Sequence, residues 1–245
     1  FLAAMLPVVA VHAILALHLT SPGSIRTPGL QMQLGNPFAS IKNPFKDDRD
    51  GATTVALTFS FSVLERGPGS ILSQLDALAA DADTSTSDGI SALCASTALM
   101  LLRRQNDALA CCGTASHHSK DEAALADFDR KAIREAAKFD DRDSTATVDA
   151  ALSAAGLASK GKGGSVPTVA VVCALGCLLG DREATLGQSF AGNIQAMRVA
   201  LEELAVAGNA EEEVFAFELF WVPGGDDEVL DSDEVLMDWP ELMSC

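Results

Sequence analysis

Two cysteines and two histidines give this chain its most direct candidate for metal chemistry. Cys111-Cys112 is followed by His117-His118, and thiolate and imidazole are the usual ligands of zinc. Adjacent residues do not readily direct both side chains at one ion, and the intervening Gly-Thr-Ala-Ser is typical of a loop. We therefore expect no metal site here. Cys111 and Cys112 remain candidate thiols for a redox sensor or a thiol enzyme.

Nucleophilic catalysis has little support in the sequence. A Gly-x-Ser-x-Gly elbow is absent, and His117 and His118 are neighbours in one short stretch, so a Ser-His or Cys-His unit has few residues to draw on. The acidic pair Asp226-Asp227 is typical of a hydrated loop and could at most hold a hard cation. We expect no catalytic residues, so the chain is predicted not to be an enzyme.

The polar cluster Asp83 to Gly89, with the sequence DTSTSDG, precedes an apolar run. A phosphate-binding loop needs several glycines and a lysine, and the cluster has one glycine and no lysine. Ser85 and Asp88 instead have the spacing of a capping box, which predicts that Ser85 accepts a hydrogen bond from the Asp88 backbone N–H. Phosphorylation of residues 84–87 is the alternative, and it would act on the same helix terminus.

Residues 1–19 carry no charge. Nineteen helical residues span about 28 Å at a rise of about 1.5 Å each, which barely reaches across a bilayer core. We expect a transmembrane helix, the alternative being a buried or interfacial helix. Its two titratable side chains, His12 and His18, are candidate chlorophyll ligands, since polar side chains within a bilayer usually have a function. Six residues apart, they lie on different helix faces.

The segment that follows carries Arg26, Lys42, Lys46 and Arg49 together with four of the nine prolines. Proline favours extended backbone, so residues 20–52 are predicted to be an extended linker. Positive charge on this side predicts that the domain stays where the protein is made. Because residues 1–19 lack a basic n-region and the chain starts with Phe1, we expect a targeting segment upstream that was removed or is not included.

The charge composition of the chain limits the kinds of partner that it can bind. The formal net charge is −17, and fourteen Asp and Glu with no Lys or Arg lie between Leu201 and Cys245. Such a chain does not bind nucleic acid through its phosphates. The acidic run is either a solvated surface or a docking face for a basic partner. The six cysteines do not form a small-domain disulfide framework and favour a reducing compartment, although one bridge stays open.

Residues 53–245 are predicted to form one α+β domain, with a small sheet of about three strands, 53–64, 167–179 and 213–222, packed against several helices. The second of these also has the length of a helix, but its β-branched start favours a strand. Helices are expected after Ser70, after the Asp83 to Gly89 cluster, over 120–138, 146–158 and 193–207, and after Asp231-Ser232. Expected inward-facing positions are Ile90, Leu93, Cys94, Ala98, Leu101, Leu125, Phe128, Ile133, Ala136, Ile194, Met197, Leu201 and Leu204.

Three segments together resemble a known family. They are TTVALTFSFSVLERG from Thr53, ADTSTSDGISALCASTALMLLRR up to Arg104, and FELFWVPGGDDEVLDSDEVLMDWPEL up to Leu242. In this order they are similar to the uncharacterised domain family of cyanobacteria and plastids that includes the fluctuating-light-acclimation protein of thylakoids. The resemblance covers about residues 53–242. It departs after Arg104, where the family has a His-Pro and aromatic-rich run.

The resemblance implies a plastid thylakoid protein with a single-pass anchor and its domain on the stromal side. It implies a role in photoprotection or light acclimation without catalysis. We expect an accessory subunit or regulator that docks on photosystem or light-harvesting complex proteins and meets thylakoid lipids. No cofactor is required, and chlorophyll is expected only if the chain is part of a photosystem complex. The alternatives are a stromal thiol redox sensor or enzyme using Cys111 or Cys112, and a transient photosystem assembly factor.

Overall fold

The computed structural model describes residues 24–26, 51–64, 67–154, 168–224 and 229–245, and for 24–26, 139–154 and 184 it describes the backbone alone. In this part of the chain seven strands form one antiparallel sheet. The strands are β1 (Ser24–Arg26), β2 (Ala52–Val63), β3 (Ala108–His118), β4 (Thr168–Leu179), β5 (Ser189–Ala191), β6 (Val214–Val222) and β7 (Met243–Ser244).

The sheet is larger than the sequence predicts. Its strand order is β1-β6-β4-β2-β3-β5, with β7 also pairing with β3. Strands occur at all three predicted positions, but the prediction of about three strands is wrong. The central strand β2 pairs with β4 over its whole length, from Ala52 opposite Leu179 to Val63 opposite Thr168. On its other side β2 pairs with β3, from Ala52 opposite His118 to Phe61 opposite Ala108.

Strand β3 replaces the loop that the sequence predicts around Cys111 to His118. Its sequence, ALACCGTASHH, has few of the β-branched and aromatic residues that mark strands. The strand forms because β2 offers it a full-length row of backbone hydrogen-bonding groups, so tertiary pairing decides the structure here. The remaining unpredicted strands, β1, β5 and β7, are two or three residues long and too short to show a periodicity.

Six α-helices and one 3-10 helix (Gln105–Asp107) complete the described part. The α-helices are α1 (Ile71–Asp81), α2 (Ser87–Arg104), α3 (Asp121–Ala154), α4 (Glu183–Leu186), α5 (Ile194–Gly208) and α6 (Ser232–Asp238). Ser70 caps α1 by accepting from the Ser73 N–H at 3.1 Å, and Asp231 caps α6 in a capping box with Glu234. Both helices begin where the sequence analysis expects them to begin. The two helices expected over 120–138 and 146–158 are instead one continuous helix, α3.

Helices α1, α2 and α5 cover one face of the sheet and form the main core. Phe59 and Phe61 of β2 stack there with ring centroids 5.8 Å apart, and Leu75 of α1, Leu101 of α2 and Leu201 of α5 pack into the same cluster. The apolar stripe expected on α2 is confirmed, since Ile90, Leu93, Cys94, Ala98 and Leu101 are all buried. The helical period therefore identifies the face of α2 that packs on the sheet.

Helices α3 and α6 share the opposite face. The first half of α3 packs through Ala124, Phe128 and Ala132 on β4 and β2, and α6 with the residues after it packs through Trp239 and neighbouring apolar side chains on β4 and β6. The expected inward position of Ile133 is wrong, because its side chain is 70% exposed. Charged side chains share the inward face of α3 with Ala124, Phe128 and Ala132.

No helix in the described ranges has the length and apolarity to span a membrane. The transmembrane helix predicted for residues 1–19 therefore has no counterpart among the observed helices, and residues 1–19 lie outside the described part. Three residues of the predicted linker, Ser24–Arg26, form strand β1, which pairs with β6.

Candidate functional site

The Asp83 to Gly89 cluster is a helix cap, as predicted, but its capping residue is Thr86 and not Ser85. Thr86 Oγ1 accepts from the Gly89 N–H at 3.1 Å. The Ser85 hydroxyl donates to Asp83 Oδ1 at 2.6 Å, which lowers the pKa of Asp83. Gly89 is required at its position because an added Cβ would lie 1.9 Å from the Asp83 carbonyl oxygen. The cluster is a compact start to α2.

The four residues of the metal hypothesis lie on strand β3. Cys111 faces the main core, while Cys112 faces α3 and α6, because successive strand residues point to opposite faces. Cys112 and His117 are five residues apart, about 17 Å in an extended strand. One ion cannot bind both pairs at that separation. Among the described residues there is no group of three or more His, Cys, Asp or Glu placed to hold a metal.

Burial raises the pKa of the thiols of β3 and β4. Burial raises the pKa of Cys111 to about 12 and that of Cys112 to about 11, and a hydrogen bond to Cys245 adds to the shift at Cys111. Burial also raises the pKa of Cys177 to about 12. Because the thiolate is the reactive form, these environments do not favour Cys111 or Cys112 as an attacking nucleophile at neutral pH.

A row of charged side chains lies between α3 and the sheet, and the sequence analysis missed it. Asp127, Lys131, Glu135 and Lys138 follow each other at spacings of four, four and three residues, which places them on one helix face. Opposite them β2 and β3 present small polar side chains, which include Thr54, Thr58, Cys112, Ser116 and His118. We refer to the four charged residues of α3 as the charged row.

The first half of the charged row is centred on Asp127. Its Oδ2 lies 2.9 Å from Lys131 Nζ and 3.3 Å from His118 Nε2, and Lys131 Nζ also donates to Ser116 Oγ at 3.1 Å. Burial alone would raise the pKa of Asp127, but the hydrogen bonds and charges of Lys131 and His118 outweigh it and lower that pKa. The carboxylate therefore stays ionised and holds α3 on β3.

The second half of the charged row connects α3 to the residues after α6. Glu135 is buried, and its Oε2 lies 3.0 Å from Lys138 Nζ. Lys138 also donates to Glu241 Oε1. Burial alone would lower the pKa of Lys138, but Glu241 and Glu135 outweigh it and raise that pKa. Lys138 is thus a cation shared by two carboxylates from distant parts of the chain.

A cleft of about 500 Å³ opens between the end of β2 and the start of α1. Arg104 is the cation in its lining. Its guanidinium donates to the Gly69 carbonyl and to Gln74 Oε1, and it pairs with Asp107 Oδ2 at 3.4 Å. An anionic ligand would have to displace these contacts, so the cleft does not have the character of a preformed anion site.

Residues 229–243, which we call the C-terminal segment, combine exposed apolar side chains with carboxylates. Leu236 and Met237 of α6 are 66% and 73% exposed, and Val229 and Met243 at the segment's ends are 50% and 58% exposed. Its carboxylates are Asp231, Asp233, Glu234, Asp238 and Glu241. The buried side chains of Leu230, Val235, Trp239 and Leu242 fix the segment on the sheet. It presents an apolar and acidic surface on a rigid base.

The described acidic residues between Leu201 and Cys245 do not form one continuous face. Glu203 and Glu213 pair with Arg182 near the start of β6, whereas the C-terminal segment packs near its other end, beside Val222. The nine residues of β6 separate the two groups by about 26 Å at about 3.3 Å per residue. Among the described residues, the acidic run therefore contributes to at least two separate parts of the surface.

The remaining sequence-derived candidates lie outside the described residues. They are His12 and His18, considered as chlorophyll ligands, and the pair Asp226-Asp227, considered as a cation site. Of the residues that the structure describes, Cys111, Cys112, His117 and His118 share one strand but do not converge on a common point.

A family model described as "Protein of unknown function (DUF1517)" matches residues 54–245. Comparisons with curated proteins and with solved structures gave no match. The matched range runs from the central strand β2 through the C-terminal segment, so it includes both helix layers and the charged row. On this match the chain belongs to the DUF1517 family, an uncharacterised domain family.

Proposed function

We propose that this protein is a non-catalytic thylakoid protein that docks on a photosystem or antenna complex as an accessory subunit or regulator of light acclimation. The observation that carries the proposal is the C-terminal segment with its exposed Leu236 and Met237. The plastid setting and the stromal side rest on the sequence resemblance and on the positive charges of residues 20–52.

The apolar part of the segment supports docking. Large exposed apolar side chains clustered on a surface mark interaction sites, and interface cores are rich in such residues and in Met. Four of the exposed large apolar side chains of the described ranges fall within these fifteen residues, Val229, Leu236, Met237 and Met243. The buried side chains beneath them keep α6 in place, so binding requires little reordering of the segment.

The charge of the segment indicates the kind of partner. Its five carboxylates are interspersed in sequence with the exposed apolar side chains, and no Lys or Arg occurs between Leu201 and Cys245. Complementary charge increases the association rate and excludes wrong partners. The proposed partner surface is therefore an apolar patch bordered by Lys and Arg on the stromal face of a photosystem or light-harvesting complex. Thylakoid lipids would border that site, and no chlorophyll is needed for the docking itself.

The test uses the full chain in thylakoid membranes. Membranes solubilised in mild detergent are separated on a native gel at low salt, and the chain is located by immunodetection in a second, denaturing dimension. The proposal expects co-migration with a photosystem or antenna complex, weakened at high salt because exposed charge pairs are screened. Migration as a free chain at both salt concentrations would contradict it.

A thiol sensor or enzyme is the rival function, and Cys112→Ser separates the two. Cys112 lies on β3 and packs against the buried apolar side chains that fix the C-terminal segment, and it is not one of that segment's exposed side chains. A docking protein keeps its native-gel position in this variant. If the function depends on the Cys112 thiol, the variant loses that function, whether or not its position on the gel changes.

A further inference from the structure

Strand β7 brings a second thiol to Cys111. In the register of β3 and β7, Ala110 is opposite Ser244 and Cys111 is opposite Met243, and the Cys245 N–H donates to the Leu109 carbonyl at 3.2 Å. Residues two apart on a strand share a face, so Cys245 is the diagonal neighbour of Cys111 on the same face. The Cys245 thiol is near enough to Cys111 to contribute to the raised pKa of the Cys111 thiol.

We propose that Cys111 and Cys245 form a reversible intramolecular disulfide. Diagonal neighbours on adjacent strands are about 7–8 Å apart at Cα, and a disulfide needs about 4.4–6.8 Å. Closure thus requires a shift on the order of 1–2 Å. Strand β7 has two residues, and Met243, Ser244 and Cys245 are all exposed, so this end of the pairing can move without disturbing the core.

The other four cysteines are placed differently. Cys112 points to the opposite face of β3 from Cys111. Cys94 lies in α2 and donates to the Leu204 carbonyl of α5 at 3.5 Å, and Cys173 and Cys177 are buried on β4. All six cysteines are free in this structure, and Cys245 is the exposed one. Cys245 is therefore the thiol that an oxidant reaches first.

The oxidant we assign is a disulfide, either of a small molecule or of a protein. The Cys245 thiolate attacks one oxidant sulfur, which forms a mixed disulfide and releases one thiol. The Cys111 thiol then loses its proton to water, and its sulfur attacks Cys245 Sγ. The Cys111–Cys245 bond forms as the second oxidant thiol leaves. Two electrons and two protons pass to the oxidant disulfide, which ends as two thiols.

Burial of Cys111 makes the second step slow. Because burial raises its pKa to about 12, a small fraction of Cys111 is thiolate at neutral pH, and the rate of closure rises with pH. The bond would fix residues 244 and 245, which directly follow the C-terminal segment, to β3. The disulfide rests on the strand register and the thiol contact, so it stands whether or not that segment docks on a partner.

The experiment uses the purified, fully reduced chain with oxidised glutathione as the probe. After incubation at mildly alkaline pH the reaction is quenched with acid, and the protein is denatured and alkylated. Intact-mass spectrometry then counts the alkylated thiols. The unreduced protein is digested for peptide mapping. We expect the number of alkylated thiols to fall from six to four, with a Cys111 peptide linked to a Cys245 peptide. Dithiothreitol should restore all six.

Two variants make the result specific. Cys112→Ser should start with five thiols and lose two, with the same linked peptides. Cys245→Ser, an exposed and conservative change, should retain all five. Three results would each overturn the proposal. They are the loss of two thiols in Cys245→Ser, a disulfide between Cys245 and Cys112, and a stable glutathione adduct on Cys245 as the final product.

Discussion

Lys138 of α3 forms an ion pair with Glu241, which lies 103 residues further along the chain, and the same ammonium lies 3.0 Å from Glu135 Oε2. This contact connects the helix that covers one sheet face to the segment proposed to dock. The position of the C-terminal segment therefore depends on α3 as well as on its own apolar contacts.

Replacing Lys138 should test how much this connection contributes to stability. Lys138→Met leaves the buried Glu135 carboxylate without its nearest cation, and breaking a buried pair costs about 3 kcal/mol or somewhat less at a partly exposed site. We expect the free energy of unfolding in urea to fall by about 2 kcal/mol.

Arg198→Met on α5 is the matched control. Its partner Glu202 lies 2.8 Å away, but both side chains are about half exposed, at 52% and 50%. Such a pair is worth about 0.5 kcal/mol or less. Equal losses in Lys138→Met and Arg198→Met would show that the buried end of the charged row is not stabilising.

Ionisation of Asp127 should make the free energy of unfolding fall as the pH is lowered into the acidic range. Its pKa in the folded chain lies below its ordinary value of 3.8, so its ion pairs stabilise the fold above that value. This stabilisation is lost as the pH falls through the lowered folded-state pKa. In Asp127→Asn we expect about 1–2 kcal/mol less stability at neutral pH, and a flatter decline on acidification below the unfolded-state pKa.

Urea denaturation at a series of pH values measures this effect. Asp129→Asn, which removes an exposed carboxylate two residues along the same helix, serves as the control and should keep the wild-type profile. A profile for Asp127→Asn that runs parallel to the wild type at all acidic pH values would contradict the assigned role of Asp127.

The sequence predicts the elements whose apolar pattern is strong. Strands β4 and β6 were placed within one residue, and the inward stripe of α2 and the starts of α1 after Ser70 and of α6 after Asp231 are correct, because local side chains determine these features. The cap of α2 was misplaced by one residue, since Ser85 and Thr86 are chemically equivalent and the Asp83 carboxylate selects between their roles.

The features that the sequence did not predict depend on tertiary contacts. Strand β3 has an Ala- and Cys-rich sequence and becomes a strand through its pairing with β2. The inward face of α3 was misassigned at Ile133 because charged residues, which pair with one another and contact His118, share the face where only apolar residues are expected. The four-residue spacing of Asp127, Lys131 and Glu135, alternating in sign, was the available signal for this face.

For the C-terminal segment, the sequence predicted the negative charge but not the exposed apolar side chains. The acidic run after Leu201 is visible in the sequence, but the exposure of Leu236 and Met237 is not, because α6 has seven residues and this length is too short to define an apolar face by periodicity. The Cys111–Cys245 contact depends on a strand of two residues and has no sequence signature.

Helices α2 and α5 cross so closely at Gly208 that any larger side chain at this position should destabilise the fold. A Cβ there would lie 2.6 Å from the Ala95 nitrogen and 2.7 Å from the Ser91 oxygen of α2. Because these are backbone atoms, the helices must separate, and we expect Gly208→Ala to destabilise the fold by about 2 kcal/mol in thermal or urea unfolding.

Gly67→Ala provides the comparison, since no atom lies within 4 Å of its added Cβ. It should change stability by about 0.5 kcal/mol or less. If Gly208→Ala were as stable as Gly67→Ala, the close helix crossing would not exist in solution.

The docking surface is tested most directly by removing its exposed apolar side chains. The double substitution Leu236→Ser and Met237→Ser leaves the buried contacts of α6 in place. Val206→Ser, at a 63% exposed position on α5, is the matched control. The measurement is co-migration of each full chain with photosystem or antenna complexes on a native gel over a range of chain concentrations. The account predicts wild-type behaviour for Val206→Ser and binding at least about tenfold weaker for the double variant. Wild-type binding by the double variant, or equal loss in Val206→Ser, would contradict it.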